Sequence, residues 1–297
     1  MTAVVEQGGV RSLRERSPSA RARARKDRLM RGVLLAALAA ALLPLALILL
    51  VTLRKGLPAL SLRFLVSTAV PPSVEGGGYL NGLVGTAYMV GIATLASVPL
   101  GVLAAVYLVE YGRGRLAAAV RFFTDVMTGV PSVFVGLFVY SLLVQQVGFG
   151  TLVGGLALAI LMLPIVVRSS EEILKLVPGE LRRASCGLGA RRWQTVVHVV
   201  LPAAGPGLVT GSMLAVARAA GETAPLLLTA FGAFQVVTRL QGGPQSALPL
   251  LIFREARSAF PAAQARAWAG ALELMALVLV LTIAARVISS RAADRGS

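Results

Sequence analysis

Residues 32–53 read GVLLAALAAALLPLALILLVTL, a run without a charged side chain. At 1.5 Å of rise per residue, an α-helix of that length reaches about 33 Å, enough to cross the hydrocarbon core of a bilayer. A cleaved signal peptide has a shorter apolar stretch, so the run reads as a retained transmembrane helix. The 31 residues ahead of it are polar and rich in arginine from Arg11 to Arg31. Such a composition cannot bury a core, and a disordered cytoplasmic tail is expected over 1–31.

Outward from this helix, further apolar runs lie near 81–109, 122–144, 152–167, 205–231 and 267–287. The chain therefore reads as an all-α integral membrane protein of about six transmembrane helices. Its transmembrane domain covers 32–288, and a short tail covers 289–297. Composition agrees, with 56% apolar and 14% charged residues and a mean hydropathy of +0.78. Soluble domains carry roughly a quarter charged residues. The segments Pro71–Gly78 and Gly242–Pro249, rich in Gly and Pro, read as external turns.

A net charge of +16 in a soluble protein would point to nucleic acid. Here aromatic residues are only 6% of the chain and the cations sit between apolar runs, so no nucleic-acid partner is expected. With the N-terminus inside, Arg113, Arg115, Arg121 and the segment Arg168–Arg192 fall on the cytoplasmic side. The cations then favour that side roughly three to one, which puts both termini in the cytoplasm.

Enzyme signatures are missing from the sequence. No Gly precedes Lys26, Lys55 or Lys175, so no phosphate-cradling G-x-x-x-x-G-K-[ST] loop exists. One cysteine, Cys186, and one histidine, His198, leave no disulfide and no paired-imidazole metal site. No metal or cofactor is expected in this chain; if ATP drives it, another subunit binds the nucleotide and magnesium.

The segment from Leu176 to Leu201 is LVPGELRRASCGLGARRWQTVVHVVL, longer and more polar than a helix hairpin needs. Small residues cluster at Ala184, Ser185, Gly187, Gly189 and Ala190, a face that a partner protein can approach closely. The spacing resembles the cytoplasmic loop of bacterial ABC importer permeases, E-A-A-x-x-x-G, nine residues, then I-x-L-P. Here Arg183-Ala184-Ser185 precedes Gly189, and Val199 and Leu201-Pro202 follow at the matching distance. Arg183 stands at the usual Glu position. The resemblance implies a coupling helix, within about 176–203, that seats Arg183, Ala184, Ser185 and Gly189 against an ATPase.

Arg218 lies inside the fifth apolar run, with Glu222 one helical turn on. A charge in hydrocarbon costs several kcal/mol, so it belongs in a bundle interior or a water path. A guanidinium there suits an oxyanion, because its planar fork bonds two oxygens together. Glu222 would temper that grip, and the bland alternative is an ion pair that locks helices. The stretch Arg218-Ala219-Ala220-Gly221-Glu222-Thr223-Ala224-Pro225 resembles the A-type permeases of the phosphate-specific transport system. Gly85-Thr86, Pro99-Leu100-Gly101, Gly129-Val130-Pro131-Ser132-Val133 and Leu163-Pro164 are similar to that family as well.

The resemblance implies a type I ABC importer permease (MetI-like) fold in a bacterial inner membrane. Arg218, Glu222 and Thr223 would line the translocation path, and membrane lipid would surround the bundle. The implied partners are a homologous C-type permease, an ATPase dimer, an extracytoplasmic phosphate-binding protein and phosphate. Rival readings are an importer permease for another oxyanion or small solute, an ATP-independent secondary transporter, and an intramembrane enzyme. Asp125 is expected to pair with Arg121, Glu273 to face the pore or snorkel, and Trp193 and Trp268 to anchor at the interface.

Overall fold

A computed structural model describes residues 18–294, with side chains at 23 and from 25 to 287. The chain divides into two units, 1–51 and 52–297. In the first, helix α1 (Pro18–Gly56) begins inside the region expected to be a tail, so residues 18–31 are its first turns. The tail expected over 1–17 lies outside the described residues. From 25 to 51 every residue is exposed, on all sides of the helix. An apolar helix with no polar face is one built for lipid or for another protein.

The second unit is a helical bundle. Short α2 (Leu62–Val66) precedes α3 (Leu80–Val106), which a π-helical turn extends through Tyr107–Tyr111. α4 (Arg115–Gly129) turns back, and α5 (Ser132–Val139) runs on through a π-helical turn, Tyr140–Val144, into α6 (Gln145–Val147). α7 (Thr151–Leu176) follows, then α8 (Gly179–Gly187) and α9 (Arg192–Thr195). A third π-helical turn, Val196–Val200, leads into α10 (Leu201–Ala220), and α11 (Ala224–Thr229) follows it. α12 (Leu248–Ala256) and α13 (Pro261–Asp294) end the described chain.

Among the described residues, five helices are long and apolar enough to cross a membrane: Arg25–Gly56, Leu80–Tyr111, Thr151–Leu176, Arg192–Ala220 and Pro261–Val287. The third expected span, 122–144, is not one helix. It is α4 and α5, meeting at 105° around Val130 and Pro131, and counting that pair as one brings the total to six. The residue before a proline is pushed out of the helical region, and Val130 is extended at φ −72°, ψ 127°. The fifth expected run, 205–231, is interrupted too. α10 stops at Ala220, and α11 opens with Pro225 in its first turn, where a missing N–H costs nothing.

Close packing depends on small residues. α3 and α7 run side by side, with Gly154 and Gly155 opposite Met89 and Ile92, and Gly101 opposite Val166. α10 lies antiparallel to α7, with Gly207 and Gly211 over Ile173 and Ser169. Without a hydrophobic drive between helices in lipid, such close approach supplies the association energy. Met89, Leu158, Met162, Val166, Ala215, Ala219 and Leu226 form the main core, while Leu95, Leu100, Leu103 and Leu279 point outward.

At the end where α3 and α7 begin, polar groups pin the loops. Arg266 and Glu255, each 5% exposed, pair at 2.9 Å, and Tyr79 donates to Glu255 at 2.7 Å. Burial and the Glu255 carboxylate push the Tyr79 hydroxyl far above the usual range, so it stays a donor. Arg266 also donates to the carbonyls of Val74 and Gly76, which fixes the turn over 71–78. Asn81 and Ser246 both hold the Ala233 carbonyl, at 2.6 Å.

A Cβ at Gly85 would run into the Ser246 carbonyl oxygen, whereas one at Gly91 meets nothing within 4 Å. Gly85→Ala is therefore expected to cost about 2 kcal/mol by overpacking, and Gly91→Ala nothing. Thermal melting of the two variants in detergent checks this difference.

Candidate functional site

The two interrupted spans face one another. Across α7, Arg121 meets Glu171 and Arg168 lies 3.8 Å from Asp125, so α4 runs antiparallel to it and ends near Pro164. α5 leaves that point along the other half of α7, where Val135 and Val139 pack with Val153 and Ala157. α11 packs on α5, and a Cβ at Gly136 would stand 2.7 Å from Pro225 Cα. Only glycine lets the second halves of the broken spans come this close.

Between the breaks is a cavity of about 190 Å³. Its walls are the α4–α5 corner (Met127, Thr128, Val130, Pro131 and Ser132), the middle of α7 (Leu161, Pro164 and Ile165), and Arg218 with Glu222. Pro164 is halfway along α7, so the cavity sits at mid-height in the bundle. Such a space holds several waters at about 30 Å³ each, or one small anion with part of its shell.

Two features of the cavity wall suit an anion, set against the one carboxylate of Glu222. The N-terminus of α5 ends here with its first amides unpaired by the helix, and Pro131 supplies no side-chain cap. A helix N-terminus carries about half a positive charge and is a ready anion site. Arg218 stands opposite, in the last turn of α10. Its ion pair with Glu222 is loose, at 3.7 Å, and the Arg218 side chain is 68% exposed while that of Glu222 is 19% exposed. The guanidinium is thus not consumed by its neighbour and keeps donors free. Thr223, expected beside them, caps α11 with its backbone carbonyl and does not line the cavity.

The loop at the end where α3 and α7 finish forms two short helices. Arg183 is exposed and reaches Glu180 at 3.9 Å, and Ala184 is exposed beside it. Ser185 is half-buried; its hydroxyl meets that of Thr195 at 2.9 Å, which fastens α8 to α9 instead of facing a partner. Gly189 turns the chain at φ +87°, with open space around it. Leu188, 90% exposed, and Trp193 extend this surface with apolar area that the small-residue pattern did not signal.

Two other expectations change, and a third residue gains a partner. Arg121 pairs with Glu171 at 2.9 Å, not with Asp125. Glu273 is buried within the bundle, and neither carboxylate oxygen finds a hydrogen-bond partner. Trp268 lies under Lys55, 5.1 Å from the ammonium to the ring centre. Sequence spacing also missed Arg182, which holds Glu110 at 2.8 Å across 72 residues.

Residues 97–294 match a family described as the binding-protein-dependent transport system inner membrane component. The phosphate transport system permease protein PstA of Haemophilus influenzae is 42% identical over 263 residues, covering 88% of this chain and 93% of its own. That of Yersinia pestis is 42% identical over 242 residues, covering 81% of this chain and 82% of its own. Among solved structures, a bacterial alginate ABC transporter with its pentasaccharide-bound periplasmic protein has a TM-score of 0.66. Its identity is 15%, over 91% of this chain and 96% of that one. The inward-facing MetNI methionine ABC transporter gives 0.59 at 19%, over 72% and 95%.

At such identities the two structures speak for the fold alone, the all-α, MetI-like fold of ABC importer permeases. The chain belongs to the binding-protein-dependent inner membrane component family, and within it to the PstA permeases of phosphate transport systems.

Gly187 and Gly189 both have open space for a methyl group, but only Gly189 has a left-handed backbone. Gly189→Ala is expected to cost about 1 kcal/mol and speed amide exchange across α8–α9 about fivefold. Gly187→Ala leaves that exchange unchanged.

Proposed function

We propose that this chain moves inorganic phosphate through the cavity between its two interrupted spans. The observation that carries the reading is the facing of the α5 N-terminus and Arg218 across that cavity. Both place donors on the wall of one cavity, and backbone interrupted at membrane depth is tolerated only inside protein or along a water-filled cavity. The relatives' names supply the anion, and the chemistry of the wall suits it.

Glu222 gives the site a way to choose and to let go. Phosphate near neutral pH carries a P–OH that can donate to the Glu222 carboxylate, whereas sulfate carries none. The same carboxylate competes for Arg218, so the anion is held weakly enough to leave. In this reading Arg218 binds, Glu222 selects and releases, and Thr223 fixes the break that lets Glu222 reach the cavity.

The assembly would pair this permease with a homologous C-type subunit. An ATPase dimer, holding ATP and magnesium, would seat on α8 and α9 through Ala184, Gly189, Leu188 and Trp193. A phosphate-binding protein would deliver the anion at the opposite end. The cation bias puts the α8 end, and both termini, in the bacterial cytoplasm. Closing the ATPase dimer would move α8 and switch the cavity from one side to the other, and the docked binding protein would bias the same equilibrium.

A broken span also occurs in ATP-independent secondary transporters, so the break itself does not separate the classes. Family membership and the exposed loop helix support the ATP-driven one.

Labelled-phosphate uptake into proteoliposomes holding the permeases, ATPase and binding protein tests the reading, with sulfate as control. Uptake should need ATP and prefer phosphate. Arg218→Ala should lower it about 30- to 150-fold, the loss of one charge-assisted contact of about 2–3 kcal/mol, with assembly intact. Glu222→Gln should narrow the preference over sulfate. Preference for another anion would discard phosphate, and uptake without an ATPase would discard the coupling.

A further inference from the structure

The junction between α8 and the bundle contains two buried carboxylates, each held by an arginine from a different element. Glu110, in the π-helical turn that ends α3, has a side chain 7% exposed. Arg182 of α8 donates to it through Nε at 2.9 Å. The same guanidinium donates to the Val177 carbonyl at 2.6 Å and the Leu174 carbonyl at 3.0 Å, where α7 ends. One side chain therefore ties α8 to the last turns of both α3 and α7.

Glu171 on α7, 2% exposed, is the second carboxylate. Arg121 of α4 donates to it through Nε at 2.9 Å and, through a terminal nitrogen, to the Leu108 carbonyl at 3.0 Å. Lys175 adds a second contact to Glu171 at 3.0 Å. Arg121 thus ties α4 to the same two helix ends that Arg182 grips. From Arg121, α4 continues for eight residues, about 12 Å, to Gly129 at the cavity corner. By contrast, the covalent route from α3 into α4 passes through Gly112 and Gly114, with Gly114 at φ +83°.

We infer that Arg182–Glu110 and Arg121–Glu171 form one linkage that carries movement of α8 into α4, and so to the anion cavity. Both arginines are positioning residues, since neither lines the cavity. A displaced α8 takes the ends of α3 and α7 with it through Arg182. Arg121 passes that displacement to a rigid half-span whose far end is the cavity wall. Breaking the Arg182 contact leaves buried Glu110 to hydrate or repack, breaking the Arg121 contact leaves Glu171 to Lys175 of its own helix, and in either case α8 moves without the corner at Pro131. This inference rests on the ATP-driven reading above and goes beyond it in naming the residues that couple the two sites.

The test uses the complete transporter in proteoliposomes and measures phosphate moved per ATP hydrolysed, with basal ATPase activity and complex yield recorded separately. Arg182→Gln and Arg121→Gln should keep basal hydrolysis within about twofold and lower the phosphate-to-ATP ratio about tenfold, within the usual span of coupling free energies. Arg182→Lys keeps the charge on Glu110 but loses the fork to Val177 and Leu174, and should recover part of the ratio. A wild-type ratio in the Gln variants, with only a lower melting temperature, would show a static brace and overturn the inference. If a Gln variant does not assemble, Arg182→Lys and Arg121→Lys decide: an unchanged ratio in both overturns it. Wild-type complex that moves a different anion, with the same loss in the variants, discards phosphate and keeps the linkage.

Discussion

A polypeptide that stops being helical within a bilayer leaves N–H and C=O groups that hydrocarbon cannot satisfy, each at a cost of several kcal/mol. The bundle accepts that cost at two places, Gly129–Pro131 and Gly221–Thr223, and brings the two together at mid-height against Pro164 of α7. All else in the second unit follows from covering those breaks. Gly136 lets α11 lie on α5, glycines on α3, α7 and α10 bring long helices close, and the remaining opening is a cavity with Arg218 and Glu222 in its wall. The interruption that endangers the fold is what gives it an anion site.

Charge is distributed to keep one part still and another connected. At one end, Tyr79, Glu255 and Arg266 close on each other and on the turn over 71–78. At the other end, the carboxylates of Glu110 and Glu171 are shared among side chains from three helices, so α8 cannot shift alone. At the cavity, the Arg218–Glu222 pair is long and largely open, as a site that must bind and release requires. The buried pairs sit where elements are joined, and at the cavity the pair is loose where an anion would come and go.

Hydropathy made the helical class and the approximate spans legible, because lipid exposure leaves a strong compositional mark, and the spacing of small residues marked the loop helix. It could not show the breaks, since an apolar residue scores alike in a straight helix and at a corner. The signals were nonetheless present: Pro131 after Gly129, and Gly221 with Pro225, are the punctuation that ends helices. Arg218 and Glu222 were legible as charges out of place. Ser185 misled, because small size suits both an exposed docking face and an inward seam. Arg182–Glu110 and Arg121–Glu171 were not legible, for their partners are 72 and 50 residues apart and only the packing of α3 on α7 makes them neighbours.

The central claim is that the substrate anion sits between the α5 N-terminus and Arg218. Arsenate has the shape and protonation of phosphate and scatters anomalously, so a structure of the complete transporter soaked in arsenate locates the anion by its heavy atom. The account predicts an arsenic peak in the cavity, with oxygens within hydrogen-bond distance of the Ser132 amide and the Arg218 guanidinium. A peak elsewhere in the bundle, with Arg218 closed onto Glu222, would contradict it.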